Sequence, residues 1–91
     1  MNGKHLGVKK MDKQYNISNI EFNRELIILS VDGKTYQIPI VQASKRLAEA
    51  TDTERKMYRI SPSGYGIHWY AIDEDLTTQG LIKLAEIAKT A

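Results

Sequence analysis

Apolar and polar residues alternate from Tyr15 to Ile40 in three runs that are separated by turn signals. The first run ends at Asn23-Arg24, which we interpret as a hairpin turn. The second, Glu25 to Val31, is rich in Leu, Ile and Val, as is typical of a central strand buried on both faces. Asp32-Gly33 is a strong hairpin signal, because a type I′ turn needs φ > 0 at both central positions. The pattern predicts a three-stranded antiparallel meander whose last strand reaches a sheet edge near Pro39.

Helical spacing of apolar residues replaces this alternation in the middle and at the end of the chain. Val41 to Ala50 carries an apolar stripe, which predicts a short helix. Thr51-Asp52-Thr53-Glu54 has the form of a capping box, which predicts a second short helix from Asp52 to about Met57. Tyr58 to Ser61 reads as a short strand, and the apolar spacing from Leu81 to Ala88 predicts a closing helix.

The most specific stretch is Gly64 to Leu81, with the letters GYGIHWYAIDEDLTTQGL. Two glycines after Pro62-Ser63 predict a turn, because glycine adopts φ > 0 readily and proline fixes φ. Ile67 and Trp69 alternate with His68, which predicts a short strand. An acidic turn is expected next, followed by a helix that Thr77 or Asp75 caps.

These elements predict an α+β fold with two layers. We expect an antiparallel sheet, built from the three-stranded meander plus a later short strand pair, with two short helices and a C-terminal helix. Residues 1–14 are expected to be a disordered basic leader, in which His5 is solvated, and residues 15–91 to form a single domain.

Composition narrows the classes of function. The 91 residues include no cysteine, which excludes disulfides and thiolate chemistry. No apolar run reaches the ~18 residues that a membrane helix needs, so we expect a cytoplasmic protein without membrane contact. Four lysines against one aspartate give residues 1–13 a charge of +3, while the rest of the chain has nine basic and ten acidic residues. The folded part is therefore nearly neutral, which is unlike a typical nucleic-acid-binding surface.

The run GYGIHWYAIDEDLTTQGLI resembles the signature of the bacterial family DUF2442, in which a glycine-rich turn, IHW, IDEDL and a Ser- or Thr-started helix recur. The resemblance covers roughly residues 17 to 84 and includes LAEATDTERKMYRI and the Asp32-Gly33-Lys34 hairpin. Tyr70 departs from the family pattern, which usually has proline there, and so does Asp52. Because the family is named for unknown function, the resemblance implies an architecture rather than an activity.

His68 and the three acids that follow form the cluster with the most chemical character. Imidazole and carboxylates bind divalent ions or transfer protons, which makes His68, Asp73 and Asp75 weak metal candidates. The alternative, which we favour, is structural: the acids cap the helix and pair with Arg55, Lys56 or Arg59. We therefore expect no cofactor, no metal and no catalytic residue.

Two surfaces are candidates for binding a partner. The favoured one is the glycine–aromatic–acid run, because its exposed aromatic and acidic residues are not explained by packing alone. Its candidate residues are Tyr65, Gly66, His68, Tyr70, Asp73, Glu74 and Asp75. The alternative is a basic face that comprises Lys45, Arg46, Arg55, Lys56 and Arg59. Trp69 is assigned to the core.

The function predicted from these observations is a small non-enzymatic binding or regulatory module that acts through a protein partner. The family resemblance implies an accessory or antitoxin-like role, and the small cysteine-free build also suits an inhibitor. The first alternative is a nucleic-acid-associated regulator that uses the basic leader and the basic face. The second is a ligand- or metal-binding domain with its site in the Gly64–Asp75 run. We expect a monomer or a weak homodimer.

Overall fold

The computed structural model describes residues 14–90, and the predicted leader lies outside the described residues except for Gln14. Three strands come first: β1 (Ile17–Asn23), β2 (Leu26–Val31) and β3 (Lys34–Pro39). Three short helices follow: α1 (Ile40–Ala43), α2 (Lys45–Ala48) and α3 (Asp52–Arg55). The chain then forms β4 (Tyr58–Ile60), β5 (Gly66–Trp69) and β6 (Glu74–Thr77), and it continues as α4 (Thr78–Thr90).

The predicted α+β class and the meander are confirmed. The first sheet is antiparallel with the order β1-β2-β3. Asp32 and Gly33 have φ of 50° and 83°, as a type I′ turn requires. The first hairpin turn is centred on Arg24, with φ 59°, and Glu25, one residue later than predicted.

β2 is central, but it is fully buried on one face only. Ile27, Leu29 and Val31 are buried, whereas the residues between them are half-buried. The expectation of burial on both faces is therefore wrong. The polar residues of the flanking strands explain the difference, because Glu21 and Gln37 lie on either side of Ile28 and keep that face in contact with solvent.

The second sheet has three strands in the order β4-β5-β6, where a strand pair was expected. The extra strand is β6, since Glu74 and Asp75 continue as a strand and the turn comes earlier, at residues 70–73. Thr77 then caps α4, because its Oγ1 accepts a hydrogen bond from the Gly80 amide at 3.0 Å.

The helix expected from Val41 to Ala50 is two helices, because Ser44 is extended with φ −165° and ψ 120°. The Ser44 side chain caps α2 by accepting from the Leu47 amide at 3.0 Å. The capping box of Thr51 and Glu54 at the start of α3 is confirmed, with both hydrogen bonds present.

One apolar core joins the two sheets and the long helix. Its buried residues come from β2, β3 and α1, from α2, from β5 and from α4, and they are Ile27, Leu29, Val31, Ile38, Ile40, Leu47, Ile67, Trp69, Leu81 and Ala85. Helix α4 packs mainly against β3. Within the described range, none of the helices has the length and apolar character needed to cross a membrane.

Candidate functional site

The second sheet has one buried face and one exposed polar face. Along β5, Ile67 and Trp69 are buried while Gly66 and His68 are partly exposed, as the two-residue period of a strand requires. The strand register places His68 between Arg59 on β4 and Asp75 on β6. Neighbours across a sheet share a face, so these three residues form one row on the exposed side.

Two contacts order this row. His68 Nδ1 lies 2.8 Å from Asp75 Oδ1, and the side chains are 39% and 78% exposed. The Arg59 guanidinium lies over the Tyr70 ring, 5.4 Å from its centroid. The row therefore presents a carboxylate at one end and a cation on an aromatic ring at the other.

A groove of about 620 Å³ lies beside this row. Gly66 lies in it and has no side chain to fill it, and Ile60, Tyr65 and Thr77 contribute to its walls. A side chain at Gly66 would also be tight, because a Cβ there would lie 3.1 Å from the Leu76 carbonyl oxygen. We call this feature the hairpin groove.

The turn that carries Tyr65 is fixed on both sides. Gly64 adopts φ +73° and its amide donates to the Ser61 carbonyl at 2.8 Å. The buried Thr78 hydroxyl donates to the Gly64 carbonyl at 2.5 Å, and the Thr78 amide donates to the Tyr65 carbonyl at 2.9 Å. The Tyr65 side chain is nevertheless 58% exposed. A rigid backbone thus presents an exposed aromatic ring.

The three acids do not converge on one point. Asp73 is in the turn with φ 53°, and its carbonyl accepts a hydrogen bond from Arg46 Nη1 at 2.8 Å. Glu74 is on the opposite side of β6 from Asp75, and its carboxylate accepts from the Ser44 hydroxyl. Of the metal candidates, the structure brings together only His68 and Asp75. In the part of the chain that is described, no group of three potential metal ligands occurs.

The expected salt bridges to the basic segment are replaced by other contacts. Arg55 Nε and Nη2 donate to the Leu47 and Ala48 carbonyls at 3.2 and 3.1 Å, and its guanidinium lies 5.2 Å from the Phe22 ring centroid. Arg46 and Arg59 also make contacts within the molecule, so three of the five basic-face residues have intramolecular partners. Arg55 is half-buried, and the other four residues of the basic face are exposed.

Trp69 is completely buried, which confirms its assignment to the core. Its indole Nε1 donates to the Arg55 carbonyl at 3.0 Å, and its ring packs edge-on against Phe22 with 6.4 Å between centroids. Of the aromatic residues between Gly64 and Leu81, Trp69 is therefore buried, whereas Tyr65 and Tyr70 are exposed. Sequence reasoning missed Ser44 and the specific role of Arg46, which hold β6 and its turn, since no local signal links them to residues about thirty positions later.

Comparison with known proteins gives a family and a fold but no activity. The family described as "Protein of unknown function (DUF2442)" matches residues 17–86. A solved structure, described as a crystal structure of a protein of unknown function from Rhodospirillum rubrum, is similar with a TM-score of 0.61 and 26% sequence identity. That similarity covers 77% of this chain and 87% of the other. The comparison with curated proteins finds no match.

Proposed function

The chain belongs to the DUF2442 family, and we propose that it is a non-enzymatic binding module that acts through a protein partner. The partner docks on the exposed face of the second sheet, over the hairpin groove. Accessory, antitoxin-like and inhibitor-like roles all require such a surface. The cysteine-free sequence suits a cytoplasmic setting.

The observation that carries this proposal is the concentration of exposed apolar side chains around the hairpin groove. Among the described residues, the large exposed hydrophobics are Val41, Ile60, Tyr65, Tyr70 and Ile87. Three of the five, Ile60, Tyr65 and Tyr70, belong to the β4–β5 hairpin and the turn that follows it. Tyrosine on a fixed backbone buries much area at low entropic cost, which is why tyrosines are enriched at interfaces.

The charges around the groove describe the partner further. Asp73 and Asp75 are exposed, whereas the nearby Arg59 already contacts Tyr70. A partner that inserts an apolar side chain beside Tyr65 and places a basic side chain near Asp75 would complement this surface. Glu74 takes no part in this docking, because its carboxylate contacts Ser44.

The test compares two aromatic residues with an exposed apolar residue elsewhere. Tyr65 lines the hairpin groove, and Tyr70 contacts Arg59, which also lines it. The tagged protein is used to isolate a partner from its native cell, and calorimetry then measures the affinity for the purified partner. Tyr65→Ala and Tyr70→Ala should each weaken binding by more than about 1 kcal/mol. Val41→Ala, which truncates a side chain that is 69% exposed on α1, serves as the matched control and should leave the affinity unchanged. Equal losses in all three variants, or no loss in the tyrosine variants, would contradict the proposal.

No specific observation favours the nucleic-acid alternative or the ligand- or metal-binding alternative. The nucleic-acid alternative would use the exposed Lys45 and Lys56, since Arg46, Arg55 and Arg59 also contact carbonyls or aromatic rings in the molecule. For the ligand or metal alternative, the His68–Asp75 pair supplies two groups on an exposed face. Calcium sites and structural zinc sites use more protein ligands than this pair provides.

A further inference from the structure

Strand β3 is at one edge of the first sheet, and no other strand between residues 14 and 90 pairs with its outer side. Directly after this strand, the Ile40 amide donates to the Glu25 carbonyl at 2.9 Å, so the backbone N–H of residue 40 points toward the β1–β2 hairpin. In an antiparallel pair, every second residue of a strand directs its backbone N–H and C=O groups toward the partner strand. The backbone groups of Ile38, Tyr36 and Lys34 therefore point toward β2. Thr35 and Gln37 direct their N–H and C=O groups away from the sheet. Between residues 14 and 90, no hydrogen bond joins these groups to another residue.

A groove of about 510 Å³ opens along this edge, between β3 and the second half of helix α4. We call it the edge groove. Ala85 and Ala88 line it on the helix side, and Leu26 and Pro39 line it on the sheet side. The small alanine side chains leave room for the side chains of an added strand. An edge strand beside a helix, with a groove of mixed apolar and charged lining between them, is an arrangement that can bind an extended peptide by strand addition.

The charged residues of the edge groove indicate what kind of strand would enter. Lys34 and Lys89 line it together with a single acid, Glu86. By the alternation of β3, Lys34 is on the same face of the sheet as Tyr36, the face on which α4 packs. Acidic side chains on the helix-facing side of an added strand would therefore meet both lysines. Two copies of this chain would instead bring like charges together, and lysine and proline at a strand edge oppose such self-pairing.

We propose that the edge groove is a second docking site, which binds an extended acidic segment of a partner protein as a fourth strand beside β3. Thr35 and Gln37 hydrogen-bond the backbone of that segment, and Lys34 and Lys89 select its acidic side chains. The edge groove shares no lining residue with the hairpin groove. The inference therefore goes beyond the proposed function and can be tested apart from it.

The probe is an end-blocked, fluorescein-labelled peptide with the sequence Ser-Glu-Thr-Val-Thr-Glu-Ser. Its alternation places two glutamates and the valine on one side of a strand. We expect saturable binding by fluorescence anisotropy, with the largest amide chemical-shift changes in an NMR titration at Thr35 and Gln37. A peptide with lysines in place of the glutamates should bind about tenfold more weakly, which corresponds to ~1.4 kcal/mol.

Two controls isolate the backbone hydrogen bonds. Gln37→Pro removes one outward amide without touching the β2–β3 hydrogen bonds, a position at which edge strands tolerate proline, and it should abolish binding. The matched variant Gln37→Val keeps the amide and should bind normally. If Gln37→Pro fails to fold, the same hydrogen bonds are tested with the wild-type protein and a peptide that is N-methylated at alternate residues. The N-methylated peptide should not bind, because it lacks the amide donors.

Three outcomes would overturn the proposal. The first is equal affinity for the N-methylated and unmodified peptides. The second is a set of shift changes centred on the hairpin groove, with peptide binding lost in Tyr65→Ala. The third is a concentration-dependent shift of Thr35 and Gln37 without peptide, which would assign the edge to a second copy of this chain.

Discussion

The Trp69 side chain connects three elements at a single residue. It packs against Phe22 of β1 and Tyr58 of β4, and it donates a hydrogen bond to the Arg55 carbonyl at the end of α3. Trp69→Ala should therefore lower the free energy of unfolding by about 3–5 kcal/mol. Urea denaturation measures this as a lower midpoint with an unchanged slope.

A second variant at this position separates packing from hydrogen bonding. Trp69→Phe keeps an aromatic ring but removes the indole donor, which leaves the Arg55 carbonyl without that partner. We expect a loss of stability that is smaller than for Trp69→Ala and that includes about 0.5–1.5 kcal/mol for the lost, partly buried hydrogen bond. If Trp69→Phe were neutral, the hydrogen bond would contribute nothing to stability.

Two glycines with positive φ provide a matched pair of substitutions. A Cβ at Gly64 would lie 1.9 Å from the Tyr15 carbonyl oxygen, whereas a Cβ at Gly33 would have nothing within 4 Å. Gly33→Ala should cost about 1–2 kcal/mol, the strain of a left-handed backbone. Gly64→Ala should cost more than about 3 kcal/mol, because Tyr15 must also move. Equal changes in the midpoint of thermal unfolding would show that the close approach to Tyr15 is unimportant.

These residues also show which single positions a sequence can predict. The turn at Asp32-Gly33 and the burial of Trp69 follow from local chemistry, and the sequence predicts both. Two features require glycine at position 64, namely its positive φ and the close approach of the Tyr15 carbonyl. The turn motif predicts the positive φ. The close approach to Tyr15 joins residues 49 positions apart, so no local sequence pattern predicts it.

At the scale of elements, Ser44 links the short helices to the second sheet. Its hydroxyl accepts from the Leu47 amide at the start of α2 and donates to the Glu74 carboxylate on β6. Thr51 only caps a helix: its hydroxyl accepts from the Glu54 amide in the exposed capping box of α3. Ser44→Ala should therefore cost about 1–3 kcal/mol, and Thr51→Ala about 1 kcal/mol.

The comparison of these two caps by urea denaturation tests whether β6 depends on Ser44. A Ser44→Ala loss no larger than that of Thr51→Ala would mean that the contact with Glu74 adds nothing. For the same reason Glu74→Lys should destabilise the fold, although the sequence alone suggests an exposed acid that could be changed without loss of stability.

Element boundaries were predictable where the signal was local and unpredictable where it was not. The capping box, the meander and the closing helix were all identified from neighbouring residues. The break at Ser44 was not, because the apolar stripe of Ala43, Leu47 and Ala50 fits one continuous helix. The serine that interrupts it is held by a glutamate 30 positions later. For the candidate site, the sequence identified the exposed tyrosines, but the pairing of His68 with Asp75 required knowledge that β6 is a strand.

At the scale of the whole molecule, the core crosses from one sheet to the other. The buried cluster includes Ile27 and Leu29 of the first sheet, Ile67 of the second and Leu81 of helix α4. A core that is shared in this way favours unfolding as one cooperative unit. Neither sheet alone has more than three strands, and small sheets depend on packing against other elements.

Native-state hydrogen exchange can test this cooperativity through Leu81→Ala. Leu81 is 1% exposed, so its truncation should cost about 2–5 kcal/mol. If the two sheets open together, the most protected amides of β2 and β5 should lose the same exchange free energy. Ile87→Ala, on the same helix with a side chain that is 56% exposed, is the control and should change neither set. If the β5 amides lost protection while those of β2 did not, the second sheet would open by itself. The hairpin groove would then lie on the less stable part of the molecule.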